Sequence, residues 1–343
     1  MGGKRWSGIR SGVVALSLLA AACGGTGGGA GGGSGQNLAG DIAVSGSSTV
    51  EPITSLVAEL FAEENPNVSI TVDGPGTGDG FELFCSGETA ISDASRPIEP
   101  EEAQACKQSG IEYTELEIAL DGITVMTNPA NNAVTCLNSG DLYALVGPES
   151  KGFENWSDAD QLGREVGGIG VPYPDLPLEV TAPGEESGTY DAFIELAGFE
   201  DIGVERGLSE EEAATTRPDY QASPDDNVII QAIEGSDGSF GWVGLSFYEN
   251  NKGAVKGIEI DGGDGCVAPG FETVADGTYP LSRSLYIYVN DQLVQQSDAL
   301  QAFVDFYMTD TGLKTAVQET QYVVLPQERI DATRETWKKA TAA

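Results

Sequence analysis

Three short runs in this sequence place glycine and hydroxyl residues where a strand pattern ends and a helix pattern begins. They are Gly46-Ser47-Ser48-Thr49-Val50-Glu51-Pro52, Gly74-Pro75-Gly76-Thr77-Gly78-Asp79-Gly80 and Ala182-Pro183-Gly184-Glu185-Glu186-Ser187-Gly188-Thr189-Tyr190. A helix start leaves backbone N–H groups without intrahelical partners and carries the positive end of the helix dipole. Glycine lets the backbone approach a ligand, and Ser and Thr hydroxyls add further donors. Several such starts, brought together, can hold a dehydrated tetrahedral oxyanion largely by dipoles. Each run alone has a plainer use, since Ser or Thr before a helix caps it and a Gly-rich run makes a turn. None is a Walker A loop, because no Gly-Lys-Ser/Thr follows, and none is a G-x-G-x-x-G dinucleotide turn.

A fourth run, Ile91-Ser92-Asp93-Ala94-Ser95-Arg96-Pro97-Ile98, adds a charge. Arg96 is one of 17 Lys and Arg residues set against 54 Asp and Glu, and the formal net charge is -37. A guanidinium offers a planar fork of donors suited to an oxyanion. The alternative is a surface Arg paired with one of the many carboxylates. So acidic a surface repels nucleic acid, whose phosphates are held by clustered Lys and Arg, and an anionic ligand needs a local site that overcomes the field. The chain has no histidine. That removes Ser-His-Asp and Cys-His catalysis and histidine metal ligation.

The elements that must position these runs alternate between strand and helix periodicity. Strand patterns fall at 42–45, 68–72, 111–127 (broken near Leu120-Asp121-Gly122) and 178–181. Residues 52–64 read as a helix, with Ile53, Leu56, Val57, Leu60 and Phe61 at i, i+3, i+4, i+7 and i+8. Further helices are predicted around Tyr190, Phe193, Ile194 and Ala197, and over 226–233, 300–307 and 327–339. Such alternation argues for an α/β protein with helices covering sheets.

The first residues read as an address. Lys4, Arg5 and Arg10 precede an apolar stretch over 13–22 that is too short to span a bilayer but right for a signal peptide. The run Leu19-Ala20-Ala21-Ala22-Cys23-Gly24 resembles a lipobox, whose cysteine is acylated and becomes the mature N-terminus. Residues 1–22 are then a lipoprotein signal peptide and 23–40 a Gly-rich flexible tether. Cys85, Cys106, Cys136 and Cys266 remain, and in an exported protein four cysteines allow three disulfide connectivities. Cys85 and Cys106 flank one short segment and are expected to pair, leaving Cys136–Cys266 as a long-range staple. No C-x-x-C spacing suggests a metal site.

Together and in this order the four runs resemble the phosphate-binding proteins of bacterial phosphate ABC importers. The resemblance rests on Gly46-Ser47-Ser48-Thr49-Val50, Ala94-Ser95-Arg96-Pro97-Ile98 and Pro183-Gly184-Glu185-Glu186-Ser187-Gly188-Thr189-Tyr190-Asp191-Ala192-Phe193, with support from Ser223-Pro224-Asp225-Asp226-Asn227 and Phe240-Gly241-Trp242-Val243-Gly244. It runs from about residue 41 to 340. It implies a two-lobed periplasmic-binding-protein fold, each lobe a mixed sheet flanked by helices, joined by two crossover strands near residues 120–125 and 279–282. Lobe one is then 41–120 plus 283–343, and lobe two is 121–282. The resemblance implies phosphate ligands Ser48, Thr49, Thr77, Ser95 and Arg96 from lobe one and Ser187, Gly188 and Thr189 from lobe two. It further implies no enzymatic activity, no cofactor, a monomer anchored outside the cell membrane by its lipid, and permease and ATPase subunits as partners.

The chain departs from that pattern in two places. Many relatives have Asp where Arg96 stands, and that Asp accepts the proton of hydrogen phosphate. Many also carry an Arg a few residues before the Ser-Gly-Thr turn, where this chain has Ala182. The economical account makes Arg96 the principal cation, with Arg217 next in line, and leaves Asp93, Asp225 and Asp226 as candidate acceptors. Competing readings are a binder of sulfate or molybdate, an exported hydrolase using Ser187 or Ser48 as nucleophile, and a sensory protein that kept the fold.

Overall fold

The first strand, β1 (Gly40–Gly46), buries Ile42 and Val44 and pairs in parallel with β2 (Val68–Asp73) in the register Ile42↔Ile70 and Val44↔Val72. Between them runs α1 (Glu51–Glu64), opened by Pro52 at its first turn, where the missing N–H costs nothing. Its apolar stripe puts Ile53, Val57, Ala58 and Phe61 into the core, and Asn65, which precedes Pro66, ends it. On the other side of β1 lies β3 (Ile91–Ala94), also parallel. These details come from a computed structural model that describes residues 38–185 and 187–342; the predicted signal peptide, Cys23 and nearly all of the tether lie outside the described residues.

The sheet continues from β3 into the strand Ser282–Asn290, then β4 (Tyr113–Thr127), Ser239–Gly244, Glu179–Ala182 and Gln221–Ala222. The two long strands in the middle are the crossovers. The strand Ser282–Asn290 runs antiparallel to both β3 and β4, while the far end of β4 pairs with Ser239–Gly244. One mixed sheet therefore serves both halves of a two-lobed α/β fold, with helices packed on it. The break expected near Leu120-Asp121-Gly122 is not there: β4 is one strand of 15 residues. Leu120 exchanges two 2.9 Å backbone hydrogen bonds with Val323, which ties the mid-strand to the chain's last stretch. Gly122 lets the strand pack close there, since a Cβ would come within 2.9 Å of Val274 Cγ2 and push that side chain aside.

Each half has its own aromatic packing. Phe61 meets the Phe303 ring edge-on at 5.5 Å, and Phe193 stacks on Trp242 at 4.1 Å. Such contacts add about 0.5–1.5 kcal/mol beyond area burial. Several helices were not anticipated from periodicity, and two of them matter to the frame. The helix Ser139–Val146 is buried nearly all round, so it has no polar face to set a period. In α3 (Pro100–Ser109), Cys106 is the buried residue. That helix is held by a capping box, in which Glu99 and Glu102 serve each other's backbone N–H, and by a disulfide. The disulfides pair as expected. Cys85–Cys106 joins α2 (Thr77–Ser86) to α3, and Cys136–Cys266 joins the outer strands of a small three-stranded sheet.

Candidate functional site

The loops that follow β1, β2 and β3 all emerge at the carboxyl ends of parallel strands, where open α/β sheets place ligands. Their packing depends on glycine. At Gly46, with φ +151°, a Cβ would sit 2.0 Å from the Asp93 carbonyl oxygen, and at Gly80 one would sit 2.4 Å from Gly46 Cα. Gly76 N–H donates to Gly46 O at 2.9 Å and Ser47 N–H to Asp93 O at 2.9 Å. The three loops are thus laced into one floor.

A cavity of about 430 Å³ opens above that floor, bordered by Ser47, Ser48, Thr49, Gly76, Thr77, Ser95 and Arg96, and by Asp191, Glu195 and Arg283. The five lobe-one residues expected from the sequence are therefore brought together. Thr77 Oγ1 and Ser95 Oγ lie 3.0 Å apart, and the Ser95 N–H also reaches Thr77 Oγ1 at 3.2 Å. The run containing Ser187, Gly188 and Thr189 faces the first loop across the cleft, and a Cβ on Gly188 would lie 3.2 Å from Ser48 O. Ser187 is the N-cap of the helix Gly188–Leu196, its Oγ accepting from Thr189 N–H at 3.2 Å. These three residues do not border the cavity; the helix they open does so through Asp191 and Glu195.

The charges are arranged differently from the sequence expectation. Arg96 borders the cavity, but its two Nη atoms each donate to Glu102 at 2.8 Å, Glu99 stands 3.4 Å from Nε, and the guanidinium sits 5.8 Å from the Phe81 ring centre. Glu102 above all raises the Arg96 pKa. The more deeply placed cation is Arg283, whose side chain is 8% exposed. Register puts it there, because Arg283 is the direct cross-strand partner of Asp121. Its Nε lies 3.5 Å from Asp121 Oδ2, its Nη2 donates to Thr49 Oγ1 at 3.0 Å, and its Nη1 meets Glu195 Oε2. Burial pushes the Asp121 carboxyl up, and Arg283 pulls it back. Sequence reasoning missed Arg283. Its one signal was adjacency to the crossover segment Tyr279-Pro280-Leu281-Ser282.

Arg217, the cation next in line, is held elsewhere. It donates to Asp219 at 2.7 Å and to the Phe153 carbonyl at 2.9 Å, away from the cleft. Nor do the three candidate acceptors border the cavity. Asp225 caps the helix Asp226–Gly235 and Asp226 begins it. Asp93 lies wholly buried beneath the floor, accepting from Thr54 Oγ1 at 3.0 Å, and desolvation pushes its pKa to about 8. The carboxylate in place is Asp191, which accepts from Ser48 Oγ at 3.1 Å. Partial desolvation raises its pKa, Ser48 and Arg283 oppose that, and Glu195 adds to it.

The chain is similar to known proteins over most of its length. The PBP superfamily domain matches residues 30–311. Protein SphX of Synechococcus elongatus is 38% identical over 300 residues, covering 87% of this chain and 81% of that protein. Phosphate-binding protein PstS of Staphylococcus haemolyticus is 34% identical over 328 residues, covering 95% and 94%. The crystal structure of a possible phosphate binding protein from Planctomyces limnophilus aligns with a TM-score of 0.79 at 32% identity, over 88% of this chain and 99% of that one.

Proposed function

The chain belongs to the PBP superfamily, in the family of the PstS phosphate-binding proteins, and from that premise we propose that it captures inorganic phosphate outside the cytoplasm for an ABC importer. One observation carries the reading: a buried guanidinium, Arg283, at a cavity ringed by Ser48, Thr49, Thr77 and Ser95, in a chain of net charge -37. A dianion is favoured there by local donors against an unfavourable overall field. Arg283 is the principal cation, and Arg96, spent on Glu102, stands at the rim. Ser187, Gly188 and Thr189 close the opposite side through the positive end of their helix.

Asp191 takes the part of proton acceptor. A carboxylate beside the oxyanion repels a fully ionised sulfate but accepts the O–H of hydrogen phosphate. The lobes are 41–120 with 283–343, and 121–282, hinged where Arg283 faces Asp121. Acylation at Cys23 tethers the protein to the membrane, and permease and ATPase subunits receive the ligand. Titration calorimetry with phosphate, sulfate and molybdate tests the assignment. Phosphate is expected to bind most tightly, and tighter binding of sulfate or molybdate overturns it.

A further inference from the structure

Arg283 has two carboxylate neighbours of different character. Asp121 lies on the paired strand β4 with its side chain 6% exposed, fixed by backbone register. Glu195 reaches Arg283 from the helix Gly188–Leu196, on the opposite side of the cleft, with its side chain 51% exposed. The first is part of the frame. The second is half open to water, and it meets Nη1 of Arg283 at the border of the cavity that both residues line.

That nitrogen is also where an oxyanion must dock, since Nε is turned toward Asp121 and Nη2 donates to Thr49. A guanidinium has a fixed fork of donors, so a ligand oxygen and the Glu195 carboxylate cannot both take Nη1 in-plane. Two negative groups on one cation also repel each other at short range. Glu195 can withdraw without losing all company. Beside the phosphate cavity lies a second concavity of about 500 Å³, bordered by Arg96, Asp191 and Glu195. Glu195 already contributes to the raised Arg96 pKa.

We infer that Glu195 is a tethered competitor of the ligand: its carboxylate holds Arg283 when no oxyanion is bound and is displaced toward Arg96 when one enters. The inference rests on the phosphate-binding reading above and adds to it a determinant of affinity and selectivity. Such a competitor gives the one guanidinium nitrogen not facing Asp121 or Thr49 a partner while the cleft is empty, since an unmatched charged donor is costly. It also sets a threshold, because an entering anion must outbid a carboxylate already in place. A hydrogen phosphate with several oxygens to offer to Ser48, Thr49, Thr77 and Ser95 passes it. A small monoanion does not.

The opposite role is equally concrete: Glu195 as a buttress that aims Arg283 at the ligand. The two differ in sign. Glu195→Gln, at a solvent-open position, removes the charge while keeping size. As a competitor's loss, it tightens phosphate binding about 5- to 30-fold by calorimetry, the range between an exposed ion pair and a charged hydrogen bond. Glu195→Asp, one methylene shorter, is expected to behave like the Gln variant despite its charge. Glu200→Gln removes an equal charge from the same outer concavity without touching Arg283, and is expected to change Kd less than about 2-fold. Weaker or unchanged binding in Glu195→Gln overturns the inference, as does an equal gain in Glu200→Gln. If neither parent nor variant binds phosphate, the functional reading itself fails, and the inference with it.

Discussion

Replacing Arg283 by Gln removes the positive charge from the cleft while leaving a side chain that can still donate one neutral hydrogen bond. In the structure the guanidinium's Nη2 donates to Thr49 Oγ1 at 3.0 Å, Nε stands 3.5 Å from Asp121 Oδ2, and Nη1 meets Glu195. A hydrogen bond to a charged group contributes about 1.5–3 kcal/mol, and a bound oxyanion gains one or two from this fork. Part of the loss is offset, because Gln keeps a neutral donor and because the competition from Glu195 vanishes. A net loss of about 2–4 kcal/mol follows, or roughly 30- to 1000-fold in Kd. Arg96→Gln is expected to cost less than about 5-fold, since both of its Nη atoms already serve Glu102.

The assay is calorimetric titration of parent, Arg283→Gln, Arg283→Lys and Arg96→Gln with phosphate at one ionic strength. Lys restores a charge but not the fork, so it recovers part of the affinity. Folding needs its own control, because Arg283→Gln leaves the buried Asp121 without its cation. That carboxyl is already raised by desolvation and then takes up a proton more readily. The variant is therefore tested for cooperative thermal unfolding, and Asp121→Asn is combined with it if unfolding broadens. A larger loss in Arg96→Gln than in Arg283→Gln refutes the reasoning and returns the principal charge to Arg96.

Three further outcomes are expected. Asp191→Asn, which replaces an acceptor by a group that also donates, weakens phosphate about 10-fold and strengthens sulfate; unchanged selectivity on parallel titrations removes Asp191 from the acceptor role. Asp93 titrates near 3.8 unfolded and about 8 folded, so the folded state binds the extra proton between these values and stability falls as pH rises through them. The slope is at most about 1.4 kcal/mol per pH unit, and the stability gain of Asp93→Asn over the parent should grow from pH 5 to 8 in denaturant melts; a gain independent of pH rejects it. Cys23→Ser is expected to enter the soluble fraction or stay unprocessed, and a variant that remains membrane-bound and is cleaved as before disproves lipidation.

The fold was legible where a segment has two faces. Ile53, Val57 and Phe61 mark α1 because the rest of that helix meets water, and the strand patterns at 42–45 and 68–72 extend only slightly into β1 and β2. Segments with one kind of environment gave no period. Ser139–Val146 is buried on nearly every side, and α3 is exposed on nearly every side. The second omission had a chemical consequence. Without α3 there was no Glu102 beside Arg96, so Arg96 looked free to meet the ligand. Arg283 was hidden for a different reason. It lies on a strand between Ser282 and Ser284 and belongs to no motif. Its place in the cleft comes from the register Arg283↔Asp121, a pairing of distant segments that periodicity does not encode. The hydroxyl turns were legible because a helix start after a strand is a local event, and there the chemistry and the chain direction are read from the same few residues.

How a chain of net charge -37 attracts a dianion is then a question of range. Surface carboxylates act through water and salt, and at physiological ionic strength their influence decays over about 8 Å. Within the cleft the balance is set by groups in contact. Asp121 cancels much of the Arg283 charge, so the site is not simply a positive hole. What distinguishes it is that its remaining donors are neutral and fixed: the hydroxyls of Ser48, Thr49, Thr77 and Ser95, on loops locked by Gly46 and Gly80. Neutral donors discriminate by geometry rather than by charge, since each gives up an existing protein partner only for a ligand oxygen placed to accept in its stead. In the proposed site a carboxylate from Asp191 would then separate anions that carry a proton from those that do not. Selectivity of this kind favours an acidic protein, because a strongly basic cleft would hold every anion and release none quickly.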